Sequence, residues 1–138
     1  MTATMPGKLP LSIAVAAAIL SMAAPAAALD LNGFRAAHGR APLQARTTLM
    51  AAAASHARDM ARREHLDHAG FRERLGAIAS MAAENVSYGC NDQACAIRQW
   101  SRSKGHRANM LLRGVTGYGI ASAVSASGRR YWVLTLGN

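Results

Sequence analysis

The stretch YGIASAVSASGRRYWVLTL, residues 118–136, decides the fold class. Tyr118, Ile120 and Ala123/Val124 form one apolar series, and Tyr131-Trp132-Val133-Leu134-Thr135-Leu136 follows as a run of aromatic and β-branched residues. The two read as strands joined around Ser127-Gly128, a β-hairpin at the C-terminal end of the chain. Everything upstream is dominated by a different period. The sequence is therefore read as α+β: mainly helices first, then the hairpin.

Moving toward the N-terminus, LMAAAASHARDMARRE (49–64) is the clearest helix. Leu49, Ala53, Ala57 and Met60 recur at helical spacing, with Arg58, Arg62 and Arg63 mainly on the other side. The alanines in that stripe predict close approach to a neighbouring element. Thr47 or Thr48 is the expected cap. Asp30 can cap a shorter helix over Leu31–His38, stopped by Gly39 with Pro42 just beyond. Leu75, Ile78 and Met81 suggest another short helix. Ala83–Tyr88 reads as a strand ended by Gly89. Asn91 or Asp92 can cap a helix over Gln93–Ser103, with Ile97 and Trp100 on one face and Gly105 as its stop. Arg107–Leu112 adds one more turn. Met50, Met60, Met81 and Met110 read as core filler.

The 138 residues allow one domain. Only 5% are aromatic, so core-building side chains are scarce, while the 51% apolar content excludes long disorder. Residues 1–28 read as a cleaved signal peptide: Lys8, then the apolar run LPLSIAVAAAILSM (9–22), then Pro25 and Ala26-Ala27-Ala28. The run is too short for a membrane span, which wants about 20 apolar residues. Cleavage after Ala28 leaves residues 29–138 as a single domain and lowers the net charge from +9 to +8 by removing Lys8. The expected location is therefore the periplasm or the extracellular space. Fourteen of the sixteen basic residues are Arg. They are scattered and lack aromatic interleaving, which speaks for a solvated basic surface and against a nucleic-acid partner.

Cys90 and Cys95 lie five apart, between the end of a strand and the start of a helix. In an exported chain they are expected to pair. Zinc is the weaker alternative, because no second Cys pair exists. Among the histidines, His56 sits on the apolar stripe and reads as a hydrogen-bonded core residue, and His38 as a helix-end residue. His65 and His68, in EHLDH, are spaced to share a helix face, without the order of a zinc-peptidase motif. His106, in SKGHR, is placed in a loop. Asn85 is read as satisfying backbone groups, Trp100 as anchoring its helix and Trp132 as packing the sheet.

Several of these segments, in this order, resemble the CAP superfamily, also called the SCP domain: cysteine-rich secretory proteins, venom antigen five and pathogenesis-related proteins. They are Leu31-Asn32 with Arg35, Gly39 and Pro42-Leu43; Leu49–Ala53, His56-Ala57 and Met60; His68; Ala83-Glu84-Asn85-Val86; Trp100-x-x-Ser103-x-Gly105-His106-Arg107-x-Asn109-Met110; and Gly117–Ala121 with Tyr131-Trp132. The likeness is greatest to the short bacterial members. It implies a three-layer α-β-α sandwich with the hairpin in its central sheet, and a surface cleft lined by two His and two Glu. His68, Glu84 and His106 match three of those four positions. The fourth, three residues after the Trp, is Ser103 here.

Two imidazoles and a carboxylate suit one divalent metal, zinc first and calcium or magnesium as alternatives. With His68 and His106 as the ligands, Glu84 would be free to act as general base in a metal-dependent hydrolase, peptidase- or esterase-like. Ser103 with His106 and Glu84 is a remoter nucleophilic arrangement. The reading favoured over both is a monomeric exported protein whose cleft of His68, Glu84, Ser103 and His106 binds a metal, small ligand, lipid or cell-envelope component without catalysis. A purely structural His/Glu network is a further alternative.

Overall fold

The structure is a computed structural model that describes residues 30–138; the signal-peptide expectation for residues 1–28 lies outside them. Helix α1 (Leu31–Ala37) starts where the Asp30 carboxylate accepts the Gly33 N–H, at 2.6 Å. It buries Leu31 and Phe34, and also Arg35. The Arg35 guanidinium donates to the carbonyls of Ala41, Met110 and Leu112 at 2.9, 2.8 and 3.2 Å, which compensates its burial.

A two-residue strand, β1 (Gln44–Ala45), leads directly into helix α2 (Thr47–Arg63). The expected Thr47/Thr48 cap is not formed. Arg46 occupies the cap position without a side-chain cap bond. Its N–H is paired to the Tyr118 carbonyl at 3.0 Å, so β1 holds it extended and the helix starts immediately after it. At the other end Glu64 adopts a left-handed conformation with φ +52° and turns the chain out of the helix. His65 and His68 therefore follow α2 in an irregular segment and share no helix face, contrary to expectation.

Helix α3 (Phe71–Leu75) is shorter than the Leu75/Ile78/Met81 pattern suggested. Asn138 Oδ1 accepts the Ser80 and Met81 N–H groups, which draws the chain toward the sheet and leaves Met81 exposed. Ile78 and Met50 are exposed too, so only Met60 and Met110 serve as core filler. Strand β2 (Ala82–Tyr88) is followed by Gly89 at φ +100° and by helix α4 (Gln93–Ser101), capped by Asp92. Gly105 is not the stop. Ser103 breaks the helix with an extended backbone, and Gly105 and His106 both lie in a new helix, α5 (Lys104–Met110). Cys90 and Cys95 are disulfide-bonded, which settles the pairing against zinc.

Strands β3 (Gly117–Val124) and β4 (Arg130–Gly137) form the expected hairpin, with Gly128 at φ +86° in its turn. The sheet order is β1-β3-β4-β2, antiparallel except for β1 against β3. Side chains alternate across it. Val86, Tyr131 and Val133 face Ala53, Ala57 and Met60 of α2. Trp132, Leu134 and Leu136 face Leu31 and Phe34 of α1, Ile97 and Trp100 of α4 and Met110 of α5. This is the three-layer α-β-α arrangement. No helix among the described residues is long and apolar enough to cross a membrane.

The N-terminal turn of α2 lies close against the sheet, over Gly119 of β3. A Cβ on Gly119 would lie 2.3 Å from both the Leu49 carbonyl carbon and the Met50 nitrogen, which are backbone atoms that cannot swing aside. Gly119→Ala is expected to destabilise by about 2 kcal/mol through overpacking, checked by urea denaturation. A loss under about 0.5 kcal/mol, the range of ordinary surface changes, would mean that α2 and β3 are not in close backbone contact.

Candidate functional site

Glu84 projects from β2 toward the α2 side and is almost completely buried. A buried carboxylate requires compensating partners. Three are present. Arg74 of α3 grips it through both oxygens, Nη1 on Oε2 and Nη2 on Oε1 at 3.0 Å. His68 Nδ1 donates to Oε1 at 3.0 Å, and His56 Nε2 of α2 stands 3.8 Å from the same oxygen. Arg74 was not anticipated from the sequence, where it is one of many scattered arginines. The one signal was the need of a buried strand carboxylate for a cation.

His56 is the buried, hydrogen-bonded residue expected, its Nε2–H donating to the Asp67 carbonyl at 2.8 Å. Asp67 also shapes the segment that carries His68. Its Oδ1 accepts the Ala69 N–H at 3.1 Å, and its carboxylate pairs with Arg63. The Arg63 hydrogen bond holds the Asp67 carboxyl at about 2. His65 is largely exposed, its Nε2 3.8 Å from Asp67 Oδ2. In the neutral His68 ring, donation from Nδ1 leaves the Nε2 lone pair available, and the side chain is half-exposed.

On the opposite face of β2, Asn85 does satisfy backbone: its Nδ2 donates to the His106 carbonyl at 2.9 Å, and its Oδ1 accepts from Asn109 at 2.9 Å. This fixes α5 across the strand and places His106. His106 and Ser103 line a cavity of about 400 Å³ with Leu66, Val86, Ser87, Tyr88, Gln99 and Trp100. His68 and Glu84 stand beside this cavity and do not line it. No hydrogen bond joins Ser103 to His106, nor His106 to Glu84, so the nucleophilic arrangement is not assembled. Among the described residues no three His, Cys, Asp or Glu side chains are grouped as a metal site. The Glu84 carboxylate, committed to Arg74 and His68, does not fit as a third ligand. The two imidazoles remain as candidate donors, with Glu84 behind His68 orienting it.

Burial, and secondarily the positive charge His68 can carry, push the His106 ring below its ordinary value of 6.5. The unfolded chain then takes up this proton at higher pH than the folded one. Between the two values the unfolded state holds more protons, so stability rises with pH and the contribution is complete above about 6.5. Thermal melts between pH 7.5 and 5.5 are expected to fall with acidification, and His106→Gln to flatten that slope. An unchanged slope in the variant would assign it to another group.

Residues 30–136 match the sequence profile of the cysteine-rich secretory protein family, CAP. The uncharacterized protein YkwD of Bacillus subtilis strain 168 is 28% identical over 104 residues, 70% of this chain. The chain spans 40% of that relative's length. An outer surface protein of Borrelia burgdorferi superposes with a TM-score of 0.70 at 15% identity, covering 78% of this chain and 86% of its own. An extracellular SCP-domain protein of Bacillus anthracis gives 0.67 at 24% identity over 77% of this chain and 37% of its own. A cysteine-rich secretory protein of Staphylococcus aureus gives 0.59 at 26% identity over 77% and 35%.

Proposed function

Because this chain belongs to the CAP, or cysteine-rich secretory protein, family, we propose that it is an exported binding protein whose cleft takes up a ligand beside His68, Ser103 and His106 without catalysis. The observation that carries this reading is the state of Glu84. A general base needs a free lone pair within reach of its proton. Glu84 is sealed from solvent and committed to Arg74 and His68. Ser103 and His106, by contrast, line an open cavity and are available to a guest.

The ligand set that remains for a divalent ion is the two imidazoles of His68 and His106. Nitrogen donors favour zinc, whereas calcium and magnesium want oxygen ligands, and the one buried carboxylate here is already engaged. Bound zinc would supply an electrophilic anchor for a ligand group. The protein's part is to orient the His68 ring through Glu84 and to fix the backbone of His106 through Asn85. The signal-peptide pattern supports export to the periplasm or beyond, where lipids and the polymers and peptides of the cell envelope are the accessible ligands.

The test follows the ring signals of His68 and His106 by NMR during titration of residues 29–138 with zinc, calcium and magnesium in turn. Zinc is expected to shift both rings, and His68→Ala or His106→Ala to abolish the effect. A panel of esters and peptides is expected to turn over no faster than with Glu84→Gln. Turnover that collapses in Glu84→Gln, at a temperature where circular dichroism shows the variant still folded, would overturn the non-catalytic reading in favour of the hydrolase.

A further inference from the structure

Strand β2 is an outer strand of the sheet, and the ladder shows which of its main-chain groups face outward. The Gly89 N–H donates to the Arg130 carbonyl at 3.0 Å, and the register places Tyr88 opposite Tyr131. An antiparallel ladder alternates. Ala83, Asn85 and Ser87 are therefore bonded to β4, while Glu84, Val86 and Tyr88 turn N–H and C=O away from it. At Glu84 the edge is covered, because Asn109 Nδ2 donates to its carbonyl at 3.3 Å. At Val86 and Tyr88 no other part of the described chain reaches these groups. Both residues line the cavity that holds Ser103 and His106.

Two further lining residues carry polar atoms without partners: the Ser87 hydroxyl and the Trp100 indole N–H, both buried. Val86 as a whole is only 5% exposed. In folded proteins roughly 90% or more of buried polar groups are paired, so unpaired groups gathered along one cavity mark where a hydrogen-bonding guest belongs. The alternating donors and acceptors of a strand edge are matched by another main chain, in the manner of strand addition.

The charge of the surroundings narrows the guest. A second cavity, of about 540 Å³, adjoins the first through the shared residues Tyr88 and Gln99 and adds Arg98 and Arg102. Neither arginine has an ion-pair partner among the described residues. The Arg129 guanidinium lies over the Tyr88 ring, 4.5 Å from its centre. No Asp or Glu lines either cavity. We infer that the cleft binds an extended acidic peptide, which pairs its main chain with Val86 and Tyr88 of β2 and sets its carboxylates against Arg98 and Arg102. This deepens the binding reading of the cleft and rests on it. A lipid or polysaccharide offers no N–H donors at strand spacing, so it answers the charge but not the edge.

The probe is a short capped peptide of alternating Glu and Val, titrated against residues 29–138 with hydrogen exchange followed at each amide. The Val86 and Tyr88 amides are expected to slow on binding. N-methylation of one alternate set of peptide nitrogens is expected to weaken binding about tenfold, the effect of losing one to two hydrogen bonds, and methylation of the other set to do much less. Arg98→Glu with Arg102→Glu, both exposed at the C-terminal end of α4, is expected to weaken binding by a similar factor. Binding that ignores N-methylation, protection elsewhere in the chain, or no binding at millimolar peptide would overturn the proposal. So would protection of Val86 and Tyr88 by phosphatidylglycerol vesicles without any by the peptide. In each of these cases the zinc-dependent shifts of His68 and His106 persist if the cleft is still a binding site, and are absent if that reading has failed as well.

Discussion

Glu84→Gln is expected to lower the unfolding free energy by about 3 kcal/mol, because removing one partner of a buried ion pair strands the other. Arg74 lies against Glu84 with little exposure of its own, and its remaining hydrogen bonds go to the Ala69 carbonyl. A glutamine can accept from one side of the guanidinium, but it supplies no charge and leaves its own amide facing a cation. For a domain of this size the loss corresponds to a melting temperature lower by about 10 °C. Replacing both partners by apolar residues, Glu84→Leu with Arg74→Met, is expected to recover much of it, since neither charge is then left unpaired. Urea denaturation of the single and double variants measures this. A Glu84→Gln protein as stable as the parent would show that the carboxylate is not held as described, and would reopen its role as a base.

The second large effect lies on the other side of β2. Trp100 is fully buried among Ile97, Met110, Trp132 and Leu134. Trp100→Ala is expected to cost about 4 kcal/mol through lost burial and the cavity left behind. Trp100→Phe is expected to cost about 1 kcal/mol, because it changes volume modestly and removes an indole N–H that has no partner among the described residues. The two variants separate packing from hydrogen bonding. Equal, large losses would mean that the indole nitrogen is held by a group inside the protein.

Much of this arrangement was legible because it depends on local patterning. The hairpin around Gly128, the apolar stripe of α2 and the Asp30 and Asp92 caps follow from period and side-chain chemistry within a few residues. His68, Glu84 and His106 were expected from an ordered resemblance; the fold pairs His68 with Glu84 and sets His106 in the cavity with Ser103. Two of the misreadings share a cause: a distant partner overrode the local signal. Arg46 is held extended by Tyr118, so α2 needs no threonine cap. Asn138 captures the segment after α3 and exposes Met81. Ser103 breaks the chain between α4 and α5, so Gly105 had nothing to stop. Arg74 was invisible for the same reason, since its meaning lies in a carboxylate ten residues away on a different element.

Arg35 carries a consequence for the order in which the molecule forms. Its guanidinium closes on the Met110 and Leu112 carbonyls, 75 and 77 residues along the chain. Such closures are entropically late events, since the intervening chain must be organised before the contact repays its ordering. Helix α1 therefore seats only once residues 110–112 are in place, just as α2 depends on Thr135, which donates to the Leu49 carbonyl 86 residues away. The helices on both faces of the sheet thus depend on the C-terminal part of the chain for their seating, and neither layer is complete until that part is built.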